Sequence, residues 1–207
     1  EKYYQNPPAN QVMSLHISLG VDADFSQLPH ALVLWLPEPV RIAGEMTDRL
    51  DLEFYNFAPE MAPQGKSVVK VTCLSSYEYW AAAKTHGQAE YQAEKERVAE
   101  LVVSQLQRRF PGLQQQVEVI DVATPLTTER FVGSHHGYQA WPVPDQSPLE
   151  ILQGKGLSRT LPGLDHFYMV GQWAGGLGLP NVAVMGRKVI QELCKQTHRA
   201  FQTKPLD

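Results

Sequence analysis

The sequence has 207 residues, 43 % apolar and 19 % charged, with a formal net charge of −4. A chain of this length buries roughly 70 % of its unfolded surface, so it can hold a core of its own, and its composition excludes a disordered tail. The mild negative charge excludes a nucleic-acid partner held by phosphate neutralisation.

Cys73 and Cys194 are the only two cysteines, with no CxxC, so neither a disulfide framework nor a zinc site is expected. Both read as core thiols in a reducing, cytoplasmic compartment. No window approaches the ~20 apolar residues of a membrane span. Glu1 opens the chain with no initiator Met and no signal-peptide pattern, so the expectation is a piece cut from a longer protein.

In "VMSLHISLG", Met13, Leu15, Ile17 and Leu19 alternate with Ser14, His16 and Ser18, the period of a half-buried strand ended by Gly20. "ALVLWL", Ala31 to Leu36, predicts a second strand, buried on both faces and closed by Pro37 and Pro39. Leu50 to Phe57 and Ser67 to Leu74 predict a third and a fourth. Sequence-adjacent strands this short are expected to pair antiparallel.

From Gln88 to Phe110 the period changes. Tyr91, Val98, Leu101, Val102, Leu106 and Phe110 fall on one helical stripe, opposite Glu94, Lys95, Glu96, Arg97 and Glu100. Pro111 and Gly112 stop this helix, ~23 residues and about 35 Å long, whose apolar face should lie on the sheet. Gln116 to Ile120 reads as a short returning strand. The Pro-rich stretch from Asp121 to Arg159 has no clear period and is expected to be loop. Leu161-Pro162-Gly163 signals a turn, His166 to Val170 a strand, and Asn181 to about Thr197 a helix with Val182, Val189, Ile190 and Leu193 inward.

Four glycines fall between that last strand and helix: Gly171, Gly175, Gly176 and Gly178. A strand running through a glycine turn into a helix gathers unpaired amides and a positive dipole end, which favours an anion or a polarised acceptor. Pro180 suits the first helical turn, where its missing N–H costs nothing. A merely tight strand-to-helix connection fits the spacing equally well.

Other constellations carry less. His135 and His136 are adjacent, so their side chains are expected to point in different directions, and no carboxylate or thiol lies at ligand spacing, so no metal is expected. Ser134 lacks a GxSxG elbow, which argues against a hydrolase. Tyr77, Tyr79 and Trp80 line either an apolar channel or, more in keeping with helical spacing, a core.

The stretch "LPGLDHFYMVGQWAGGLGLPNVAVMGR" resembles the C-terminal flavin signature of the phytoene dehydrogenase and carotenoid isomerase family, within the amine-oxidase-like flavoproteins. "YQAEKERVAELVVSQLQRRFPGL" and "VEVIDVATPLTTERFVGSHHGYQAWP" are similar to that family's Tyr-x-x-x-Lys-Glu helix, Pro-Gly stop, Ala-Thr-Pro and Gly-Tyr/Gly loop. With "SLHISLG", the resemblance covers most of residues 10–197.

The resemblance implies an α+β fold, with a mainly antiparallel substrate-side sheet and a long packing helix, plus the final strand-turn-helix of an FAD-binding domain. Its boundaries are 1–125 for sheet and helix, 126–160 for a connecting loop, and 161–207 for the strand-turn-helix. It places Gly171 and Gln172 beside the ribityl and pyrophosphate part of FAD. Gly175, Gly176, Gly178, Leu179, Pro180 and Val182 form the turn and helix start beneath the flavin ring. Gln172 stands where many members have an acid and brings no charge. The GxGxxG unit that opens such proteins is absent, since Gly154, Gly156 and Arg159 come nearest and lack the third glycine. The chain therefore reads as the C-terminal portion of an FAD-dependent oxidoreductase acting on a hydrophobic, carotenoid- or retinoid-like polyene. The portion alone is expected to be inactive and to bind FAD weakly or not at all without the missing N-terminal FAD-binding half, and no catalytic acid or base is assigned. Peripheral membrane contact of the parent is expected, because its substrate dissolves in lipid. A related flavoprotein with a non-polyene substrate and a non-catalytic interaction module remain the alternatives.

Overall fold

The computed structural model describes residues 12–138, 159–161, 163–174 and 178–203. Two compact units divide the chain, one made of Asn10–Tyr138 and the other mainly of Gln139–Asp207.

Alternation in the opening segment produces the central strand of the first unit. In β1, Val12–Val21, the side chains of Met13, Leu15, Ile17, Leu19 and Val21 are at most 7 % exposed, while Ser14, His16 and Ser18 are half-buried on the opposite face. With β2 (Ala31–Ile42), β3 (Glu45–Phe54), β4 (Ser67–Ser76) and β5 (Val117–Ala123) it forms a five-stranded antiparallel sheet in the order β2-β3-β4-β1-β5. The expected α+β class is thus observed. β1 does not pair with its sequence neighbour β2, because the segment 22–30 carries the chain from the sheet's interior to its edge.

That edge corrects one expectation. Ala31 to Leu36 is not buried on both faces: Val33 and Trp35 are 47 % and 63 % exposed, and only Leu36 and Ile42 along β2 are buried. Nor do Pro37 and Pro39 end the strand. An edge strand has one row of amides that needs no partner, and the pairing with β3 shifts register between Trp35 and Val40 to absorb the prolines.

Helices seal one face of the sheet. α1, Tyr77–Thr85, starts where Ser76 accepts a hydrogen bond from the Tyr79 amide. α2, Gln88–Arg109, is the long helix expected, and its Val98, Ala99, Val102 and Leu106 are fully buried in one cluster with Leu15, Ile17, Leu50 and Val71. Each buried valine, leucine or isoleucine there contributes about 1.5–3 kcal/mol. Phe110 caps α2, Gly112 turns the chain, and α3, Leu113–Gln116, leads into β5. Trp80 is fully buried; its indole N–H donates to Ser75 Oγ at 2.6 Å, and that hydroxyl donates to Ala43 O at 3.3 Å. This pair of bonds ties α1 and the β2–β3 turn to the end of β4.

The expected loop 126–160 begins instead as a helix, α4, Pro125–Val132. Thr124 and Thr127 exchange side-chain-to-amide bonds in a capping box, and Pro125 occupies the first turn. Eight residues are too few for periodicity to show, so the start signal carried the information. After α4, Gly137 sits at φ 70, and a Cβ there would lie 2.3 Å from Pro125 O.

In the second unit, Leu164 N donates to Leu161 O at 3.1 Å, closing the expected turn. His166 to Val170 is not a strand. His166 has φ 61, Met169 N bonds to Arg159 O at 2.7 Å, and no strand among the described residues offers this segment a ladder. α5, Leu179–Gln196, forms as expected with Pro180 in its first turn; Met185 and Val189 are its buried residues, and Ile190 is 49 % exposed.

Two outcomes test this packing. Ser75→Ala leaves the Trp80 indole N–H buried without an acceptor and should cost about 1–3 kcal/mol by urea unfolding, whereas the same change in a Trp80→Phe background should cost less. Gly137→Ala drives a methyl into the Pro125 carbonyl and should cost about 2 kcal/mol or more.

Candidate functional site

The glycine turn lies in the second unit. Gly171 has φ 109 and Gly178 φ 80, conformations that L side chains rarely adopt. Among the described residues, a Cβ on Gly171 would meet nothing within 4 Å, and one on Gly178 only Pro180 Cδ at 4.0 Å. Gln172 begins a short 3₁₀ turn, Gln172–Ala174, closed by Ala174 N to Gly171 O at 3.0 Å, and its side chain is exposed. Gly178 is the N-cap of α5 and has no side chain to satisfy the first-turn amides; Val182 N reaches back to Gly178 O at 3.1 Å. Leu179 is 84 % exposed. Gly175 and Gly176 lie outside the described residues. Among the described residues, α5 therefore starts at a glycine N-cap that makes no side-chain cap bond, next to glycine backbone at positive φ. That arrangement fits the pyrophosphate or ring edge of a dinucleotide cofactor.

A second constellation lies in the first unit, on the turn Ser134–Tyr138. One carboxylate organises it: Glu129 Oε2 accepts from the Tyr77 hydroxyl at 2.8 Å, and Oε1 accepts from His136 N at 3.1 Å. His136 has φ 52, a strained value for a residue with a side chain, and its ring stacks on Tyr77 with centroids 4.3 Å apart. His135 is exposed, Ser134 and Tyr138 are buried, and Ser134 Oγ has no hydrogen-bond partner among the described residues. Burial, then the bond to Glu129, pushes the Tyr77 phenol up to about 12. Burial, then Glu78, raises the Tyr138 phenol as well. Among the described residues no three His, Cys, Asp or Glu side chains gather to hold a metal.

The sheet face opposite α2 is the third. Strand register places Val33, Asp51, Thr72, His16 and Ala123 on one rung, and Ala31, Glu53, Lys70, Ser18 and Asp121 on the next. His16 Nδ1 lies 3.3 Å from Thr72 Oγ1, and Lys70 pairs with Glu53 at 3.0 Å. Trp35, Leu74 and Val119 on the same face are 63 %, 56 % and 63 % exposed. Burial, then the charge of Lys70, lowers the His16 pKa below its ordinary 6.5. A histidine held neutral in the fold stabilises it above that value, so stability should fall as pH drops through 6.5. Urea unfolding of wild type and His16→Asn across that interval checks this, the variant showing the shallower slope.

Several sequence expectations resolve here. Trp80 is core, whereas Tyr77 belongs to the histidine turn and Tyr79 bonds to Glu94 and Arg97. Cys73 is a buried thiol raised to about 12 by burial, and Cys194 on α5 is half-exposed. Sequence reasoning missed Glu129. The only available signal was the Thr-Pro start of α4, which puts Glu129 on a helix one turn before the glycine that ends it.

No family model matches the sequence. Over 128 residues the chain is 31 % identical to prolycopene isomerase of Daucus carota, an alignment that covers 61 % of this chain and 20 % of that protein. The prolycopene isomerase of Arabidopsis thaliana matches equally, 31 % over 128 residues, 61 % and 20 %. Prolycopene isomerase 1 of an Oncidium hybrid cultivar is 31 % identical over 130 residues, 62 % of this chain and 21 % of that one. The chain thus spans about one fifth of the length of the curated relatives it matches. The resemblance read from the sequence is borne out to this extent: the curated relatives that the chain matches are prolycopene isomerases.

Proposed function

We propose that this chain supplies the substrate-side sheet and the cofactor-facing turn of an FAD-dependent oxidoreductase or isomerase acting on a hydrophobic, carotenoid- or retinoid-like polyene. The observation that carries the reading is the 31 % identity to prolycopene isomerases over 128 residues. The glycine backbone at positive φ ahead of α5 supports it independently.

In this reading the cofactor is held by Gly171, Gln172, Gly175, Gly176, Gly178, Leu179, Pro180 and Val182. FAD, when bound, supplies the hydride-accepting and hydride-donating chemistry. The protein's part is positioning. Glycine at 171 and 178 lets a ligand lie on the main chain without a Cβ in the way. The amides and dipole at the start of α5 favour the negative charge that a reduced flavin ring carries. Gln172 hydrogen-bonds the cofactor without adding charge. The mixed face of the sheet, apolar at Val33, Trp35 and Leu74, faces the polyene, and His16 stays neutral beside it. In this reading a longer protein supplies the ADP-binding unit, and the 207 residues alone bind FAD weakly or not at all.

The longer protein containing these residues, loaded with FAD and incubated anaerobically with prolycopene, should either bleach the flavin or shift the carotenoid's isomer profile on chromatography. No change with any carotenoid or retinoid overturns the substrate class. Gly171→Val in that protein, which adds a branched side chain at φ 109, should lower FAD retention in equilibrium dialysis at least tenfold. Retention equal to wild type removes the turn from the cofactor site.

A further inference from the structure

The Ser134–Tyr138 turn ends in an unused aromatic surface. The His136 ring lies 4.3 Å from Tyr77 at 10° and 3.9 Å from His135 at 21°. Two rings that close and that nearly parallel to a third cannot share one of its faces. They therefore occupy opposite faces, and the column runs Tyr77, His136, His135. Its inner end is fixed by the Tyr77 hydroxyl on Glu129, which also holds the His136 amide. Tyr138 meets both histidine rings edge-on at 5.8 and 6.1 Å and closes the side of the column. The outer ring, His135, is exposed.

Two further features fall within the same five residues. His136 holds φ 52, where glycine would sit without strain. Ser134, 6 % exposed, keeps a hydroxyl with no partner among the described residues, a cost that a structural turn avoids by using alanine. Strain, an unsatisfied hydroxyl and a presented ring face together describe a turn kept for a ligand.

We propose that this turn is a stacking site for a planar conjugated molecule, which lies on the outer face of His135 and extends the three-ring column, its edge satisfying the Ser134 hydroxyl after a small shift of the turn. Planar conjugation is shared by a flavin ring and by a polyene, and stacking on an imidazole serves either. The site rests on residues of the first unit alone, so it does not require the carotenoid reading above to hold.

The test titrates the 207-residue chain with lumiflavin and, separately, with all-trans-retinol, following the fluorescence of each probe. Saturable binding should weaken about tenfold in His135→Ala and be retained in His135→Phe, which keeps a ring and loses the imidazole. Ser134→Ala should weaken binding severalfold while leaving the urea midpoint of the free chain unchanged or higher, since it removes an unpaired hydroxyl. This pattern with lumiflavin alone identifies a flavin-type ligand, and with retinol alone a polyene. No saturable binding of either probe, or titrations that His135→Ala leaves unchanged, overturns the proposal. Because His135 is exposed, its variants should keep the wild-type unfolding midpoint, which the same samples report. An inactive longer protein with intact probe binding would count against the carotenoid reading only.

Discussion

α2 packs on the sheet because Val98, Ala99, Val102 and Leu106 and the inward row Leu15, Ile17 and Leu19 leave water together in one buried cluster. That contact fixes the register of the sheet. A one-residue slip of β1 would turn His16 and Ser18 into the core and expose five apolar side chains, a change no hairpin elsewhere could offset. It also decides what the other face can be. With apolar residues taken inward, the outward rungs are left to Asp51, Thr72 and His16 and to Glu53, Lys70 and Asp121, with exposed apolar side chains toward the margins.

From β5 the same constraint passes to the histidine turn. β5 pairs with β1 through Val122 and Ala123, so the Thr124 cap and the axis of α4 start from a fixed point in the core. Thr124 is fully buried and bonded to the Tyr91 hydroxyl at 2.7 Å, which ties α4 to α2 as well. Glu129 then faces Tyr77 at the start of α1, and one carboxylate sets both a ring and a strained backbone. The geometry of the turn is therefore inherited from helix and sheet packing, and its own five residues add little local preference for it.

Elements whose side chains repeat over enough residues were legible in the sequence. β1, α2 and α5 each show their period over 10 residues or more, and each forms within a residue or two of the expected limits. The failures share one cause. β2 was read as doubly buried because "ALVLWL" is apolar throughout, and a run cannot say whether both its faces are covered; strand order decides that, and it placed β2 at the edge. His166 to Val170 has strand-like residues and lacks a paired strand among the described residues. α4 is short, so capping chemistry was its only trace. In the glycine turn, Gly171 and Gly178 take positive φ and Pro180 enters the helix in its first turn, because these are local properties that local residues encode. The Glu129 cluster joins residues up to 61 positions apart, from Tyr77 to Tyr138, and no local pattern could reveal it.

The two candidate ligand surfaces work by different physics. Between Gly171 and Val182 the sequence has no ionisable side chain, so a ligand there meets main-chain amides, a helix dipole and neutral side chains such as Gln172, none of which changes with protonation. The histidine turn offers the ring face of His135 at the end of a stacked column, and holds a planar partner by stacking. A backbone cradle suits a cofactor that stays bound through many turnovers. A ring face presented at the surface suits a ligand that arrives and leaves, and the Ser134 hydroxyl, unpartnered among the described residues, gains a partner on binding.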